Sequence, residues 1–219
     1  MTGHFISFEG IDGAGKSTQA RLLAEALTAA GHDVLSLREP GGVAISEKIR
    51  TLLLDPANTA MGDTCELLLY EAARAQLVLE VIAPALAAGK TVVCDRFFDS
   101  TTAYQAYADG LPVEQVQRAN ELAVGACRPD LTLVFDMDAD AARARMAARA
   151  GADDRMEAKG LAFQRKVAAG YRAIAAAEPA RVKLIDAVGS VAEVHARVLA
   201  AVRSAGVAVE APEPVTEAR

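Results

Sequence analysis

The amino-acid sequence predicts a three-layer α/β fold with a parallel β-sheet at its centre. Short apolar runs rich in β-branched and aromatic residues fall at 4–9, 33–37, 91–94, 131–136 and 182–186. They lack the alternation of apolar and polar residues that is typical of a sheet with one wet face, so we expect both faces of the sheet to be covered. Longer stretches with helical spacing separate the runs, as in successive βαβ units.

Eight stretches with helical periodicity accompany these predicted strands. They lie at 16–30, 43–54, 64–88, 98–108, 112–126, 139–149, 157–177 and 190–204. Gly31 and Gly89 directly follow two of the stretches, where glycine commonly ends a helix. Pro84 falls inside the third stretch and predicts a kink or a break there, because proline cannot donate the helical hydrogen bond.

The chain is predicted to form a single domain over residues 1–205. Its 219 residues are enough to bury a sizeable core without disulfides, and the sequence contains neither an internal repeat nor a linker. Residues 206–219 include two prolines and three glutamates with little periodicity. We therefore expect them to form a disordered tail.

Composition and charge argue against several functional classes. The net charge of -6 argues against a surface built for nucleic acid, because that binding uses many Lys and Arg contacts. Cys65, Cys94 and Cys127 are widely spaced and form no CxxC pair, which indicates neither a disulfide framework nor a zinc site. The N-terminal MTGHFISFEG does not resemble a signal peptide, and no apolar run approaches a membrane span. We expect a cytoplasmic protein without membrane contact.

A phosphate-binding loop is predicted at residues 10–17, where GIDGAGKS matches GxxxxGK[ST] between a strand and an amphipathic helix. Its three glycines allow the backbone N–H groups to converge on a phosphate at a helix N-terminus. In this pattern the lysine reaches the β- and γ-phosphates, the serine hydroxyl ligates Mg²⁺, and the next residue contacts the α-phosphate. The residues expected to bind ATP are Gly10, Ile11, Asp12, Gly13, Ala14, Gly15, Lys16, Ser17 and Thr18. The alternative is a glycine-rich turn with an incidental lysine, which the strand and helix on either side disfavour.

A second metal-binding group is expected at the carboxyl end of a strand, where ligand groups gather in parallel sheets. Asp95 ends the third predicted strand in CDRF, and Asp136 ends the fourth in VFDMD. We favour Asp95 as the partner of Ser17, with Asp136 as its rival.

The phosphate-binding loop alone does not separate kinases from GTPases and mechanical ATPases. A guanine-reading NKxD motif is absent, which disfavours a GTPase. Arginines are frequent at predicted strand ends and helix faces instead, and a guanidinium offers a fixed fork to phosphate oxygens. These arginines are Arg38, Arg74, Arg96, Arg143, Arg145, Arg149 and Arg155.

Five segments stand out between about residue 5 and residue 187: FEGIDGAGKST at 8–18, REPGG at 38–42, LLLYEAARAQL at 67–77, DRFFDSTTAYQ at 95–105 and DDRME at 153–157. In these segments and in their order, the sequence resembles the thymidylate kinase family of P-loop nucleoside monophosphate kinases. The resemblance implies a five-stranded parallel sheet surrounded by helices, transfer of the γ-phosphate of ATP to dTMP with Mg²⁺, and a homodimer.

The resemblance also implies an acceptor site for dTMP. Arg38, Arg74 and Arg96 match arginines that contact the acceptor phosphate and base. Tyr70 matches the aromatic ring that stacks on thymine, and Tyr104 matches the tyrosine at the sugar 2′ position. Thr101 and Gln105 match the residues that read the base edge. Asp12, and less clearly Glu9, match acidic residues near the acceptor, and Pro40 is our candidate wall for the thymine methyl. An aromatic residue at helical spacing is more often part of the core, so Tyr70 takes the stacking role only through the motif. Arg74 has the alternative of a surface salt bridge.

Residues 143–157 resemble the family's lid. Because the segment 11–14 contains no arginine, the resemblance implies the bacterial-type arrangement, in which a lid arginine is catalytic beside Lys16 and Arg96. We assign that role to Arg149, with Arg155 supporting it. Arg143 and the loop at 177–181 are candidate adenine contacts. The chain departs from the family at AYADG (106–110) and in a lid that is one residue longer between Arg149 and Arg155.

Two other functions remain open from the sequence. A kinase for dUMP or UMP would use the same machinery, because a methyl group in an apolar slot gives only about 1 to 3 kcal/mol of discrimination. A nucleotide-sensing module would bind ATP without turnover, which the arginine set disfavours.

Overall fold

A five-stranded parallel sheet forms the centre of the protein. The computed structural model describes residues 3–147 and 154–209. The strands are β1 (Phe5–Gly10), β2 (Val34–Arg38), β3 (Thr91–Asp95), β4 (Leu131–Asp136) and β5 (Val182–Asp186), in the order β2-β3-β1-β4-β5. All six residues of β1 are buried, as expected for the middle strand of a sheet that is covered on both faces. The predicted three-layer α/β fold is confirmed, and each strand overlaps its predicted run.

Helices cover the sheet on both faces. Their bounds are α1 (Lys16–Ala29), α2 (Ala44–Leu54), α3 (Asp63–Leu77), α4 (Ala83–Ala87), α5 (Phe98–Thr101), α6 (Val113–Val124), α7 (Ala139–Ala147), α8 (Leu161–Ala177) and α9 (Val191–Ser204). Helix α1 packs on β1, β2, β3 and α9, whereas α8 packs on β1, β4 and β5. In the described ranges, no helix combines the length and apolar character of a membrane span.

Two helical stretches contain π-helical segments. The π-helical segment Val78–Ile82 joins α3 to α4. The break predicted near Pro84 is therefore a change of helical pitch that ends just before α4 begins at Ala83. Pro84 has no N–H for the carbonyl one turn earlier, which gives a physical reason for irregular hydrogen bonding there. Thr102–Ala108 continues α5 in the same way.

The prediction of one helix over 157–177 is wrong at its start. Glu157–Lys159 forms a single 3₁₀ turn, and α8 begins only at Leu161. Gly160 lies between them with φ +84°, in the left-handed region, so the right-handed helix cannot run through it. Helix α8 is therefore separated from the preceding turn by Gly160.

The expected disordered tail does not begin at Gly206. Val207 and Val209 are buried, and the Nε2 of His32 donates to the carbonyl oxygen of Ala208 at 2.8 Å. The segment 206–209 is therefore part of the packed domain, and residues 210–219 lie outside the described ranges.

Three strand ends meet at one edge of the sheet and locate the site. Arg38 at the end of β2 lies opposite Asp95 at the end of β3, and Phe8 of β1 pairs with Asp95 on the other side. The phosphate-binding loop follows Gly10 at the end of β1. In a parallel sheet the carboxyl ends of neighbouring strands share one edge, so the predicted site residues are brought together there.

Candidate active site

The loop between β1 and α1 is shaped by glycines with positive φ angles. Gly10, Gly13 and Gly15 have φ of 137°, 84° and 93°. A Cβ on Gly13 would press on the carbonyl oxygen of Ala142 in α7, and a Cβ on Gly10 would press on the carbonyl oxygen of Phe135 in β4. Gly15 is the N-cap of α1 and offers no side chain, so the first N–H groups of the helix remain open to an anion.

Lys16 extends over this loop. Its Nζ donates to the carbonyl oxygen of Ile11 at 2.8 Å and lies 3.8 Å from Asp12 Oδ1. Burial and the nearby charge of Arg96 lower the pKa of Lys16 to about 8. A phosphate at the loop would offset both effects, because an anion stabilises the protonated amine.

Ser17 and Asp95 meet directly beside the loop. Ser17 Oγ donates to Asp95 Oδ2 at 2.5 Å. Asp136, the rival metal ligand, accepts from Arg172 Nε at 2.9 Å instead. The described residues contain no cluster of three or more His, Cys, Asp or Glu for a metal. A hydroxyl and a carboxylate nevertheless fit Mg²⁺, which takes oxygen ligands and usually completes its shell with substrate phosphates and waters.

Arg96 is the centre of a polar network below the loop. Its φ of 72° is the only positive value at a described non-glycine residue, and it turns the guanidinium back towards β1. Nη2 bonds to Asp12 Oδ1 at 2.5 Å and Tyr104 Oη at 3.2 Å, and Nη1 reaches the carbonyl oxygen of Gly10 at 3.2 Å. The cation also lies 5.2 Å from the centre of the Tyr104 ring. The arginine is therefore rigidly held near the predicted phosphate position.

Two acidic residues near Arg96 have opposite electrostatic environments. Burial opposes the ionisation of Asp12, but the charges of Arg96 and Lys16 outweigh it and lower the pKa of Asp12 to about 2. Glu9 is fully buried, and burial together with the charge of Asp99 raises its pKa to about 7. Glu9 accepts from the backbone N of Phe97 at 2.7 Å and from Tyr171 Oη at 2.9 Å. Glu9 thus supports the loop after β3, whereas Asp12 faces the cavity.

A cavity of about 370 Å³ opens beside the phosphate-binding loop. The residues predicted to bind the acceptor all line it: Asp12, Arg38, Pro40, Tyr70, Arg74, Arg96, Thr101, Tyr104 and Gln105. Ser17 and Asp95 line it as well, so the acceptor cavity and the donor loop share a wall. Glu9 is absent from this wall.

Arg74 is buried rather than a surface partner. Only 2% of it is exposed, and its Nε and Nη1 bond to Glu39 Oε2 at 2.8 Å and Glu71 Oε1 at 2.5 Å. The guanidinium lies 5.4 Å from the centre of the Phe97 ring. Burial raises the pKa of Glu39 to about 7, although the charge of Arg74 opposes the shift. The arginine joins two acidic side chains and still lines the cavity.

Three predicted base-contacting residues line the cavity. Tyr70 is half-buried, and burial raises the pKa of its hydroxyl well above the ordinary value. The Thr101 Oγ1 is buried without a hydrogen-bond partner among the described residues. The Gln105 Nε2 donates to Glu66 Oε1 at 2.7 Å. The Tyr70 ring, the unpaired Thr101 hydroxyl and the Gln105 amide are together suited to bind a flat heterocycle.

Comparison with known proteins identifies this architecture. The family model for thymidylate kinase matches residues 8–198. The chain belongs to the thymidylate kinase family. Thymidylate kinase from Syntrophotalea carbinolica is 52% identical over 199 residues, covering 89% of this chain and 92% of that protein. The enzyme from Exiguobacterium sibiricum is 49% identical over 187 residues, covering 85% and 88%. The crystal structure of thymidylate kinase from Ehrlichia chaffeensis superposes with a TM-score of 0.74 at 34% identity, covering 91% of this chain and 98% of that chain.

The arginines predicted for the lid differ in their surroundings. Arg149 lies outside the described residues. Arg155 donates from Nε to the carbonyl oxygen of Leu53 at 2.7 Å and pairs through Nη1 with Glu66 Oε2 at 2.5 Å. Arg145 bonds to the carbonyl oxygen of Ala187 at 3.3 Å, and Arg143 is exposed on α7. In this arrangement Arg155 contacts the edge of the acceptor site rather than the donor loop, and its catalytic role stays a prediction.

The loop at 177–181 does not lie where it could contact the adenine of a nucleotide on the phosphate-binding loop. It precedes β5, and Arg181 pairs there with Asp99 at 2.7 Å. The phosphate-binding loop follows a strand, so the two lie at opposite edges of the parallel sheet. The adenine prediction for this loop is therefore wrong, because the loop leads into β5 at the end of the sheet opposite to the phosphate-binding loop.

Arg50 is a cavity residue that sequence reasoning missed. It lies on α2, and its Nη1 donates to the carbonyl oxygen of Pro40 at 2.9 Å. Arg38 donates to the same oxygen at 3.0 Å, beyond the cis peptide bond between Glu39 and Pro40. The segment REPGG predicted only the first of these cations. The one available signal was an arginine in the helix that follows REPGG, which does not distinguish a cavity residue from a solvated one.

Proposed function

We propose that the protein transfers the γ-phosphate of ATP to dTMP, giving dTDP and ADP. The observation that carries the proposal is the shared wall between the donor loop and the arginine-lined cavity. Asp12 and Ser17 belong to the loop and also line the cavity, and two further cavity residues bond to them, Arg96 to Asp12 and Asp95 to Ser17. An acceptor phosphate in the cavity would therefore lie against the γ-phosphate of a nucleotide on the loop. Membership of the thymidylate kinase family supports dTMP as that acceptor.

The chemistry needs no strong general base. The attacking atom is a phosphate oxygen that is already anionic, so catalysis rests on positioning and on neutralising the charge of the transferred group. Lys16 and Arg96 supply the positive charge, and both lie beside Asp12. Asp12 remains ionised at neutral pH and holds Arg96 in place, since the pKa of this carboxyl is lowered to about 2.

Ser17 and Asp95 are the proposed holders of Mg²⁺. A bound magnesium ion would supply charge neutralisation at the donor phosphates. The Ser17 hydroxyl donates to the Asp95 carboxylate, which keeps these two oxygens together beside the loop.

The base pocket favours a pyrimidine nucleotide. Tyr70 is proposed to stack on the base, Thr101 and Gln105 to bond to its edge, and Tyr104 to crowd the sugar 2′ position. Arg74 and Pro40 complete the wall. Arg38 and Arg50 lie on the same side of the cavity and are proposed to contact the acceptor phosphate together.

A homodimer is proposed from an exposed stripe on α3 and on the π-helical segment that follows it. Cys65, Leu68, Ala72, Ala75 and Leu79 are all exposed, with 58% of Leu68 and 71% of Leu79 accessible. They recur at alternating intervals of three and four, which is the spacing of a helix that packs against another helix. The proposed occupant is a second copy of this chain, and Leu68→Lys should shift sedimentation from dimer to monomer. A monomeric wild-type protein would refute this assembly.

We expect the enzyme to act in the cytoplasm.

Coupled measurement of ATP turnover tests the proposed function. With Mg²⁺ present, kcat and KM are measured separately for dTMP, dUMP, UMP, dCMP and AMP. The expected result is a clearly highest kcat/KM for dTMP. A higher value for dUMP or UMP would keep the mechanism and change the acceptor, and binding of ATP without transfer to any of the five would refute the kinase assignment.

A further inference from the structure

The carboxylate of Glu66 is a meeting point of three segments. It lies in the first turn of α3 and is 1% exposed. Its Oε1 accepts from the Gln105 amide nitrogen at 2.7 Å and from Lys159 Nζ at 3.1 Å. Its Oε2 pairs with Arg155 Nη1 at 2.5 Å. The base pocket, the C-terminal end of the lid and the residues just after it are thus attached to one side chain.

Glu66 is ionised in this setting. Burial alone would raise the pKa of the carboxyl, but the charge of Lys159 and the hydrogen bond from Arg155 outweigh burial and lower it. An ionised carboxylate can accept hydrogen bonds and cannot donate one. Every group that bonds to Glu66 must therefore present a hydrogen to it.

This requirement fixes the orientation of the Gln105 amide. A glutamine amide carries a donor NH₂ and an acceptor carbonyl on opposite sides, and only the NH₂ can face a carboxylate. Gln105 is 1% exposed and lines the acceptor cavity. With its NH₂ held by Glu66, its carbonyl oxygen is the atom turned towards the cavity.

A fixed acceptor in the cavity discriminates between pyrimidines. Thymine and uracil carry an N3–H donor, whereas cytosine has a lone pair at N3 and an amine at C4. A carbonyl oxygen held near N3 would bond to the first two and repel the third, because two acceptors face each other. A freely turning amide would present NH₂ to cytosine and lose this distinction.

We propose that Glu66 is a positioning residue that locks the Gln105 amide with its carbonyl towards the acceptor base and thereby selects pyrimidines with an N3–H. The inference rests on the proposed function, since it assumes that the cavity binds a pyrimidine monophosphate. Glu66 acts through Gln105 and does not touch the reacting phosphates.

The test is Glu66→Gln, which keeps the size of the side chain and removes its obligatory acceptor character. The readout is the ratio of the inhibition constant of dCMP, as a competitor of dTMP, to the KM of dTMP. We expect this ratio to fall about tenfold, the effect of one hydrogen bond. A purely structural role would lower the unfolding temperature and kcat and leave the ratio unchanged, which would overturn the proposal.

Lys159→Met is the matched control. Lys159 bonds to Asp109 at 2.9 Å as well as to Glu66. Removing the lysine weakens the contact between Glu66 and the segment after the lid and leaves the bond from Gln105 to Glu66 in place. Because Arg155 still pairs with Glu66 at 2.5 Å and keeps it ionised, we expect a ratio within about twofold of the wild-type value. A shift as large as that of Glu66→Gln would mean that the ion-pair cluster, and not the amide lock, sets the preference.

The exchanged pair Glu66→Gln with Gln105→Glu keeps the proposal testable if the single variant is unstable. It retains one amide and one carboxylate at the contact, so an acceptor again faces the cavity. The ratio should return to within about threefold of wild type, whereas a ratio as low as in Glu66→Gln alone would overturn the lock. Failure of the wild-type enzyme to phosphorylate dTMP would instead refute the proposed function, independently of these variants.

Discussion

Replacing Arg74 by methionine tests the energetic role of the buried cation. Methionine keeps the length and apolar stem of the side chain and removes its charge and its hydrogen bonds to Glu39 and Glu71. Both carboxylates already have one buried oxygen without a hydrogen-bond partner in the described part of the chain. Removing the arginine leaves two buried acids without their shared cation, so we expect a large loss of stability together with weaker dTMP binding.

The expected magnitude follows from burial. Removing one partner of a buried ion pair costs about 3 to 5 kcal/mol, because the remaining charge is left uncompensated. For a protein of this size that corresponds to a fall in Tm of roughly 6 to 20 °C. Arg165→Met is the matched control: Arg165 pairs with Asp140 in solvent at 2.8 Å, and its loss should leave the unfolding curve unchanged.

The loss should also depend on pH. In the folded state the pKa of Glu39 is raised to about 7, above its unfolded value, so its ionised form is the destabilised one. As pH rises through 7, Glu39 loses its proton and depends more on Arg74. We expect Arg74→Met to lose less stability at pH 5.5 than at pH 8 when unfolding is followed in urea.

Three results would refute this reasoning about Arg74. The first is a loss below about 1 kcal/mol at pH 8, which is typical of exposed pairs. The second is a larger loss at pH 5.5 than at pH 8. The third is failure of Glu39→Gln and Glu71→Gln, added to Arg74→Met, to recover part of the lost stability, because neutral amides remove the uncompensated charges.

Further predictions concern the donor side. Gly13→Ala should raise the KM for ATP and lower Tm more than Gly15→Ala, because only at Gly13 would a Cβ press on backbone, and equal effects would contradict this. Asp95→Asn should raise the Mg²⁺ concentration for half-maximal rate at least about tenfold while Asp136→Asn leaves it unchanged, and the reverse outcome would exchange their roles. Arg149→Ala should lower kcat by roughly 10³-fold with little change in the KM for dTMP, and an unchanged kcat would remove it from catalysis.

Local signals were sufficient for much of this protein. The five strands were predicted from continuous apolar runs, since a strand that is buried on both faces carries its burial pattern in consecutive residues. The phosphate-binding loop was predicted because glycines at 10, 13 and 15 are needed where φ is positive and the backbone must approach a phosphate. Asp95 and Asp136 were both candidates because each ends a strand, and the contact between Asp95 and Ser17 supports Asp95.

Errors arose where one residue or one strand end reversed a local pattern. The helical spacing at 157–177 continued through Gly160, whose left-handed conformation breaks the helix. The loop at 177–181 was considered an adenine contact although it enters β5 rather than leaving it. Periodicity reports which faces of an element are apolar and says nothing of its ends or direction.

The sequence by itself determined the fold class, the phosphate-binding loop, the family and most of the residues that line the acceptor cavity. Only the tertiary structure decided that Arg74 is a buried cation between two acids, that Arg50 joins Arg38 at Pro40, and that Glu66 links Gln105 with Arg155 and Lys159. The physical reason is the distance along the chain over which the deciding interactions act. A glycine turn or a buried strand is determined by neighbours in the chain, whereas the environment of a charge is set by groups from distant segments, and it is known only once those segments have packed.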